Sequence, residues 1–275
     1  MAKSTLRRLD KLLVERGVSV SREAAKELIL SGKVRVSGFL QEKPASLCAA
    51  DAHVEVDVPA DGARWVSRGA YKLLRGLDVF GVDPAGWDCV DIGASTGGFT
   101  QVLLERGARR VAAVDVGYGQ MAWSLRNDPR VRLLERTNAR FVDVDAIGWR
   151  ADLLTVDASF ISLRLLLPNL QELLADNGAM IALVKPQFEV GRERVGRGVV
   201  RDPALHVEVL ENVAAFVRER TRLSLAGATY SPIRGPEGNI EFIFFLTAAS
   251  PVLSGEAAPE NFESLVREAH EYGSR

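Results

Sequence analysis

The stretch VDIGASTGGFT, residues 90–100, decides the fold because it places a glycine-rich turn between an apolar strand and a predicted helix. Glycines let the backbone approach a ligand closely, and the N-terminus of the following helix favours polar ligand groups. This arrangement is typical of a nucleotide-like ligand site in an open α/β sheet. A dinucleotide fingerprint would have glycine where this chain has Ser95, so the motif fits nicotinamide enzymes poorly. Taken alone, the motif leaves a plain tight turn as the alternative.

Apolar strands alternate with helices on the C-terminal side of this turn. The predicted strands are WDCVDIG, RVAAVDVG, VRLLERT, ADLLTVD, GAMIALVKP, LAGATYSP and IEFIFFL. Such alternation predicts a mostly parallel, seven-stranded sheet with helices on both faces. Gly235, Pro236 and Gly238 lie between the last two strands and predict a hairpin that adds an antiparallel strand. We therefore expect an α/β, Rossmann-like domain.

The N-terminal region predicts a second, smaller α/β domain. Leucines at helical spacing between Leu6 and Val18 predict one helix, and SREAAKELILSG predicts another. The strands KVRVSG and HVEVDV follow, and PADGARWV has the composition of a linker. We expect a small domain over residues 1–60, a linker over 61–66 and the large domain over 67–275.

Basic residues outnumber acidic ones from Lys3 to Lys43, although the formal net charge of the chain is −1. The segment RLDKLLVERGVSVSREAAKELILSGKVRVSGFLQEKP closely resembles the RNA-binding domain named after ribosomal small-subunit protein four. The resemblance implies that the helices present cations to RNA phosphates, where they replace released counterions. The residues concerned are Arg7, Arg8, Arg22 and Lys26. An ordinary solvated helix face is the alternative for these charges.

Acidic residues end the first two strands of the large domain, Asp91 in VDIG and Asp115 in VAAVD. An acid after the second strand commonly accepts hydrogen bonds from ribose hydroxyls. DIGASTGGFT also resembles the glycine motif of the FtsJ-like 2′-O-methyltransferases, and this implies a class I methyltransferase fold with S-adenosylmethionine as cofactor. The cofactor-binding residues implied are Asp91, Gly93, Ala94, Ser95, Gly97, Gly98, Phe99, Asp115 for the ribose, and Asn138 and Ala139 near the adenine.

Charged residues stand at the ends of three later strands. Asp157 follows ADLLTV, Lys185 follows AMIALV, and Glu241 opens the last strand. In a doubly wound sheet, ligands and chemistry gather beyond the carboxyl ends of the strands, although a lone terminal charge is usually only solvated. Together with Lys72 from the helix SRGAYKLLRGLDVF, they resemble in order and context the Lys-Asp-Lys-Glu tetrad of ribose 2′-O-methyltransferases.

Methylation of a ribose hydroxyl requires alignment with the methyl donor and loss of a proton. A lysine with a lowered pKa could take that proton, and carboxylates would orient the lysine while opposing the decrease in pKa. The resemblance implies that Lys185 is the general base or hydroxyl activator and that Asp157 orients it. It also implies that Lys72 and Glu241 position the ribose and the neighbouring phosphate.

The phrases VSRGAYKL, VDASFISL, LVKPQFE and GPEGNIEF extend the resemblance to the TlyA family of ribosomal RNA cytidine 2′-O-methyltransferases over nearly the whole chain. The resemblance implies ribosomal RNA within ribosomal subunits as the partner. It leaves open which subunit is modified and whether the protein is a monomer or a weak dimer.

A glycine- and arginine-rich stretch, EVGRERVGRGVVRD at residues 189–202, follows Lys185 closely. Its arginines, together with Arg68 before the tetrad lysine, are further predicted RNA contacts: Arg68, Arg192, Arg194 and Arg197. A mobile charged loop without a function is the alternative, because glycine-rich loops are flexible in any case.

Other function classes find little support. No apolar run is long enough to span a membrane and the polar start lacks a signal-peptide core, so we expect a cytoplasmic protein. Cys48 and Cys89 lie far apart and outside metal-ligand spacing, which predicts free thiols and no metal site. A non-catalytic RNA-binding factor in ribosome assembly is the main rival. A haemolysin, a name attached to the TlyA family, would need a membrane-active segment that the sequence lacks.

Overall fold

A computed structural model of the chain describes residues 6–16, 18–19, 22–30, 34–56, 64–191, 193–196, 198–235, 237–248 and 261–272. The chain divides into two compact units, Met1–Arg64 and Trp65–Arg275. The division falls inside the segment 61–66 that the sequence analysis assigned to a linker. Each unit is described by itself.

In its described residues, the small unit has two helices and five strands. Its elements are β1 (Leu6–Arg8), α1 (Leu9–Glu15), α2 (Arg22–Leu30), β2 (Val34–Val36), β3 (Phe39–Gln41), β4 (Leu47–Ala49) and β5 (Val54–Val56). Strand β2 pairs antiparallel with β3 and β5, and β1 pairs antiparallel with β4. The first helix therefore begins at Leu9 rather than Leu6, because the preceding three residues extend the chain to pair with β4. Leu9, Leu13 and Ile29 are fully buried and join the two helices to the β2 strand.

The large unit alternates strands and helices. Its elements are α3 (Ala70–Phe80), β6 (Asp88–Ile92), α4 (Gly98–Glu105), β7 (Arg110–Val114), α5 (Trp123–Arg126), β8 (Val131–Leu134), α6 (Val144–Ile147), β9 (Ala151–Val156), α7 (Leu167–Leu170), β10 (Leu174–Val184), α8 (Pro186–Glu189), α9 (Pro203–Arg220), β11 (Ser224–Tyr230), β12 (Phe242–Thr247) and α10 (Phe262–Tyr272). The seven strands form one sheet in the order β11-β12-β10-β9-β6-β7-β8. Strand β12 runs antiparallel to both of its neighbours, and the pairs from β10 to β8 are parallel. The predicted Rossmann-like α/β fold with a final hairpin is confirmed.

Both faces of the sheet are covered, so its strands are apolar almost throughout. Phe242 and Phe244 of β12 are fully buried in the core cluster on one face, and Leu73 and Leu77 of α3 are buried in the cluster on the other. Each such side chain contributes about 1.5–3 kcal/mol when it leaves water. This core on both faces fixes the positions of the strand ends. The polar residues just beyond those ends form the candidate active site.

Candidate active site

Strands β6 and β9 lie side by side and end together, with Ile92 opposite Val156. The Asp157 N–H donates to the Ile92 carbonyl at 2.9 Å. Gly93 follows with a φ of +81°, and a Cβ on it would lie 2.8 Å from the carbonyl oxygen of Asp157. Glycine is needed there because no side chain fits between the two backbones. The glycine-rich turn and Asp157 are therefore in direct contact.

The rest of this turn is wound tightly over the start of α4. Ser95 and Gly97 have φ values of +47° and +96°. A Cβ on Gly97 would collide with Leu125, and one on Gly98 would collide with the Ser67 hydroxyl. The turn is thus a bare backbone cradle at a helix N-terminus, which suits a polar ligand group.

Asp115 joins this cradle to the loop that follows β7. Its carboxylate accepts hydrogen bonds from the Ser95 N–H at 2.8 Å and from the Gly117 N–H at 2.6 Å, one on each oxygen. Each carboxylate oxygen offers two acceptor sites, so Asp115 can still accept hydrogen bonds from the hydroxyls of a bound ribose. The structure therefore leaves Asp115 suited to the predicted role.

Asp91 differs from Asp115 in its surroundings, and its contact with the cofactor stays a prediction. Its carboxylate is fully buried and accepts hydrogen bonds from Thr100 Oγ1 at 2.7 Å and Thr155 Oγ1 at 3.0 Å. Burial raises the pKa of Asp91 to about 6. Asp91 lies behind the cradle and supports it from within the protein.

The other predicted cofactor residues divide between core and surface. The side chains of Ala94 and Phe99 are buried in the core, so a ligand would meet only their backbone. Asn138 is exposed and its side chain accepts from the Arg140 N–H at 3.0 Å. The carbonyl of Ala139 accepts from Asn169 Nδ2 at 3.0 Å. The adenine contact of Asn138 and Ala139 stays a prediction.

The four predicted catalytic residues converge at this edge of the sheet. Lys185 Nζ lies 2.6 Å from Asp157 Oδ1, and Lys72 Nζ lies 2.6 Å from Glu241 Oε2 and 3.5 Å from Asp157 Oδ2. Glu241 reaches the same edge as Lys185 because β12 is antiparallel to β10, with Phe242 opposite Val184. The side chains of Lys72, Asp157, Lys185 and Glu241 are 9%, 19%, 7% and 1% exposed. Two cations and two anions thus form one nearly dry cluster.

Burial and neighbouring charge oppose each other at Lys72. Burial alone would lower the pKa of Lys72, but Asp157 and Glu241 raise it, and the net pKa is above its usual value. Lys72 therefore stays charged at neutral pH. A lowered pKa, which the sequence analysis allowed for either lysine, does not apply to Lys72.

Three side chains beside this cluster were not predicted from the sequence. Ser159 Oγ accepts a hydrogen bond from Lys185 Nζ at 2.9 Å. Phe160 is 91% exposed with a φ of +64°, and its ring lies 5.3 Å from that of Phe188. Both phenylalanines occur in phrases that carried the family resemblance, but nothing in their spacing indicates an exposed ring at an active centre.

Two predicted RNA-binding arginines of the small unit share one buried acid. Asp10 is fully buried, and its carboxylate lies 2.9 Å from Arg8 Nη2 and 2.9 Å from Arg22 Nη2. Hydrogen bonding from Arg8 and the nearby Arg22 hold the pKa of Asp10 well below its usual range. Because both arginines remain 40–45% exposed, they present one joint cationic surface, beside the exposed Arg7. Lys26 forms a loose ion pair with Glu23 at 3.6 Å.

The remaining predicted RNA contacts belong to the large unit. Arg68 is exposed just before α3. Arg194 forms a two-pronged ion pair with Glu208 of α9, at 2.5 and 2.6 Å. That ion pair holds the segment around Arg194 to α9, and Glu208 competes with any phosphate for the Arg194 guanidinium. Arg192 and Arg197 lie outside the described residues.

Within the described residues no group of three or more histidine, cysteine or acidic side chains could hold a metal ion. Cys48 and Cys89 are free thiols. In the same part of the chain, no helix combines the length and apolarity that crossing a membrane requires.

Comparison with known proteins gives the same division of the chain. Residues 65–248 match the model of the FtsJ-like methyltransferase family, and residues 7–48 match that of the S4 domain. The 16S/23S rRNA (cytidine-2′-O)-methyltransferase TlyA of Mycobacterium tuberculosis is 47% identical over 95% of this chain and 97% of its own length. The 23S rRNA (cytidine-2′-O)-methyltransferase TlyA of Campylobacter jejuni is 33% identical over 84% of this chain and 96% of its own length.

The fold comparison agrees with the sequence comparison. The solved structure of a hemolysin-named protein from Streptococcus thermophilus is 38% identical and superposes with a TM-score of 0.73. The match covers 99% of this chain and 98% of that one. The similarity therefore extends through both units.

Proposed function

Because the chain belongs to the TlyA family of FtsJ-like ribosomal RNA methyltransferases, we propose that it transfers a methyl group from S-adenosylmethionine to the ribose 2′-hydroxyl of a cytidine in ribosomal RNA. One observation carries the proposal: Lys72, Asp157, Lys185 and Glu241 meet in a nearly dry cluster whose Asp157 touches the glycine cradle. A methyl donor in the cradle and a hydroxyl at the cluster would be neighbours. This proximity supplies the alignment that methyl transfer needs.

The residues of the cradle fit S-adenosylmethionine. At Gly93 and Gly98 the turn packs so closely against Asp157 and Ser67 that no Cβ fits. The start of α4 suits the carboxylate of the methionine part, and Asp115 keeps acceptor sites for ribose hydroxyls. When bound, the cofactor supplies a methyl group on a sulfonium, which is a good leaving group. The protein therefore has to position the hydroxyl and accommodate its proton.

Lys185 is the residue we assign to the hydroxyl. Its Nζ is held between Asp157 Oδ1 and Ser159 Oγ, so the ammonium has a fixed direction in a site with little water. From there Nζ hydrogen-bonds the 2′-oxygen, and the hydroxyl proton passes to Nζ as one ammonium proton passes to Asp157 Oδ1, whose carboxylate also orients the lysine. Lys72, charged and paired with Glu241, attracts the neighbouring phosphate.

RNA binding is assigned to both units. We propose that residues 1–60 are an RNA-binding domain in which Arg7, Arg8 and Arg22 contact phosphates, and that residues 67–275 are the catalytic domain. Enzymes that act on single nucleotides in folded RNA stack splayed-out bases on aromatic side chains. The exposed ring of Phe160, three residues after Asp157, suits that purpose.

All four tetrad residues come from one chain, so the proposed tetrad takes no residue from a second copy. We place the protein in the cytoplasm, where ribosomal subunits are found. The M. tuberculosis relative is named for both 16S and 23S rRNA and the C. jejuni relative for 23S rRNA alone, so both subunits belong in the assay.

The test is incubation of the protein with tritiated S-adenosylmethionine and separated, unmodified small and large ribosomal subunits, followed by mapping of the labelled nucleotide. We expect label on the 2′-oxygen of a cytidine. Lys185→Met should abolish the label while leaving cofactor affinity, measured by calorimetry, close to that of the wild type. Arg106→Ala, which removes an exposed ion pair with Asp78, is the control with unchanged activity.

Two results would contradict the proposal in different ways. Absence of label on every RNA, with RNA binding retained, would favour a non-catalytic assembly factor. An active Lys185→Met variant would remove Lys185 from the mechanism.

A further inference from the structure

Glu189, the last residue of α8, carries a buried carboxylate that lies outside the tetrad. Its side chain is 3% exposed. It accepts hydrogen bonds from Ser162 Oγ at 2.6 Å and the Leu163 N–H at 2.7 Å, and it lies 3.3 Å from Arg164 Nε. Removing such an acceptor would leave buried donors unpaired. Glu189 therefore strongly constrains the segment that carries those donors.

The contacts of Glu189 link two segments that each begin at a tetrad residue. Residues 157–163, here called the Phe160 loop, begin at Asp157, and the segment that ends at Glu189 begins at Lys185. The Lys185–Asp157 ion pair joins the segments at one end. The hydrogen bonds of Glu189 to Ser162 and Leu163 join them at the other. The Phe160 loop is therefore fixed at both ends.

Phe160 needs such fixing. Its φ of +64° lies in the left-handed region, which is strongly disfavoured for a bulky residue. Such a conformation is strained and persists only where surrounding contacts determine it. Its ring is also 91% exposed, with the Phe188 ring 5.3 Å away. Strain combined with exposure of an apolar ring beside a catalytic cluster points to a ligand for the ring.

We propose that Glu189 is a positioning residue that holds the Phe160 ring ready to stack on the base of the target nucleotide. This inference rests on the proposed function, because it needs a base to be brought beside the tetrad. A ribose can approach Lys185 and the cofactor only if its nucleotide leaves the RNA stack. A preformed aromatic face compensates for part of the lost stacking.

The experiment is a double-mutant cycle of Glu189→Ala and Phe160→Ala, with kcat and KM measured on the ribosomal subunit that the wild type labels. We expect each single variant to lower kcat/KM about 10-fold or more, in the range that loss of one stacked base produces. The double variant should be no worse than Phe160→Ala alone, because Glu189 acts through that ring. Cofactor affinity should remain within about twofold of the wild type, since no cradle residue changes.

Two matched variants separate positioning from general stability. Glu189→Gln keeps an acceptor for Leu163 and a partner for Ser162, so it should restore most of the activity. Asp88→Asn alters another buried carboxylate, bound to Arg109 and Arg110 at the start of β6, far along the strand from the site. It should lower the melting temperature without changing KM for RNA.

Hydrogen exchange at the Leu163 amide supplies a measurement that does not depend on activity. Exchange should accelerate in Glu189→Ala and stay slow in Phe160→Ala, because only the first removes the acceptor. Additive losses in the cycle, an unchanged Leu163 amide, or an RNA-specific loss in Asp88→Asn would each overturn the inference. A wild type without activity would overturn the proposed function, and the exchange result would still decide whether Glu189 orders the loop.

Discussion

Replacing Lys72 should destabilise the large unit more than replacing Glu241, although the two side chains form one ion pair. Lys72 Nζ has two carboxylates near it, Glu241 at 2.6 Å and Asp157 at 3.5 Å. Glu241 is 1% exposed, and among the described residues its ion-pair partner is Lys72. Lys72→Met therefore strands a buried carboxylate, whereas Glu241→Gln leaves Lys72 beside Asp157.

The loss in free energy of unfolding for each substitution depends on which charged group it leaves without a partner. An uncompensated buried charge costs about 3–5 kcal/mol, which is the expectation for Lys72→Met. Glu241→Gln exchanges a charged acceptor for a neutral one and should cost about 1–3 kcal/mol. The double variant removes both charges, so its cost should fall below the sum of the two by about 2 kcal/mol or more.

Denaturant unfolding followed by tryptophan fluorescence measures these changes in the free energy of unfolding for the large unit. All four tryptophans of the chain, Trp65, Trp87, Trp123 and Trp149, belong to residues 65–275. Arg106→Ala removes an exposed ion pair and should change the free energy of unfolding by less than about 1 kcal/mol. Glu241→Gln costing as much as Lys72→Met, or strictly additive costs in the double variant, would refute the charge balance inferred for the cluster.

Two further predictions concern the cradle. Gly93→Ala should weaken cofactor binding about tenfold or more and cost roughly 1–3 kcal/mol of stability, because the added Cβ would meet the Asp157 carbonyl at a positive φ. Calorimetry measures the affinity and thermal melts measure the stability. A variant with wild-type affinity would show that the turn opens freely. Folding raises the pKa of Asp91 from about 3.8 to about 6, so the folded state holds this proton more tightly than the unfolded chain does. The stability that the protonated form contributes is complete below pH 4 and is lost as pH rises through 6, at most about 3 kcal/mol. Unfolding curves of Asp91→Asn should lack this component, and identical pH profiles for variant and wild type would contradict it.

The strands and the tetrad were predictable because the same physical rule governs both. Strands buried on two faces read as continuous apolar runs, and a charge directly after such a run must lie at the edge of the sheet. Asp157 and Lys185 follow parallel neighbours, β9 and β10, so their meeting follows from strand order. Glu241 joins them only because β12 runs the other way, as the predicted hairpin required.

The role of Asp91 could not be read in this way. Both acids stand near the end of an apolar run, but Asp91 lies inside β6, before Ile92, whereas Asp115 follows β7. The Asp91 side chain turns inward to two threonines, and one of these, Thr155, lies on a different strand. Arg8 and Arg22 raise the same difficulty, since their shared partner Asp10 is fully buried inside a charged helix pattern. Pattern gives the position of a residue, whereas the direction of its side chain depends on tertiary partners.

The charge state of Lys72 narrows the mechanism further. Two carboxylates raise its pKa against the effect of burial, so it holds its proton when the hydroxyl must lose one. A permanently charged lysine attracts phosphate and stabilises negative charge but accepts no proton. The other lysine of the cluster, Lys185, meets a single carboxylate at 2.6 Å and one serine hydroxyl. For this reason the proposed mechanism assigns phosphate binding to Lys72, which faces two acids, and the 2′-oxygen to Lys185, which faces one.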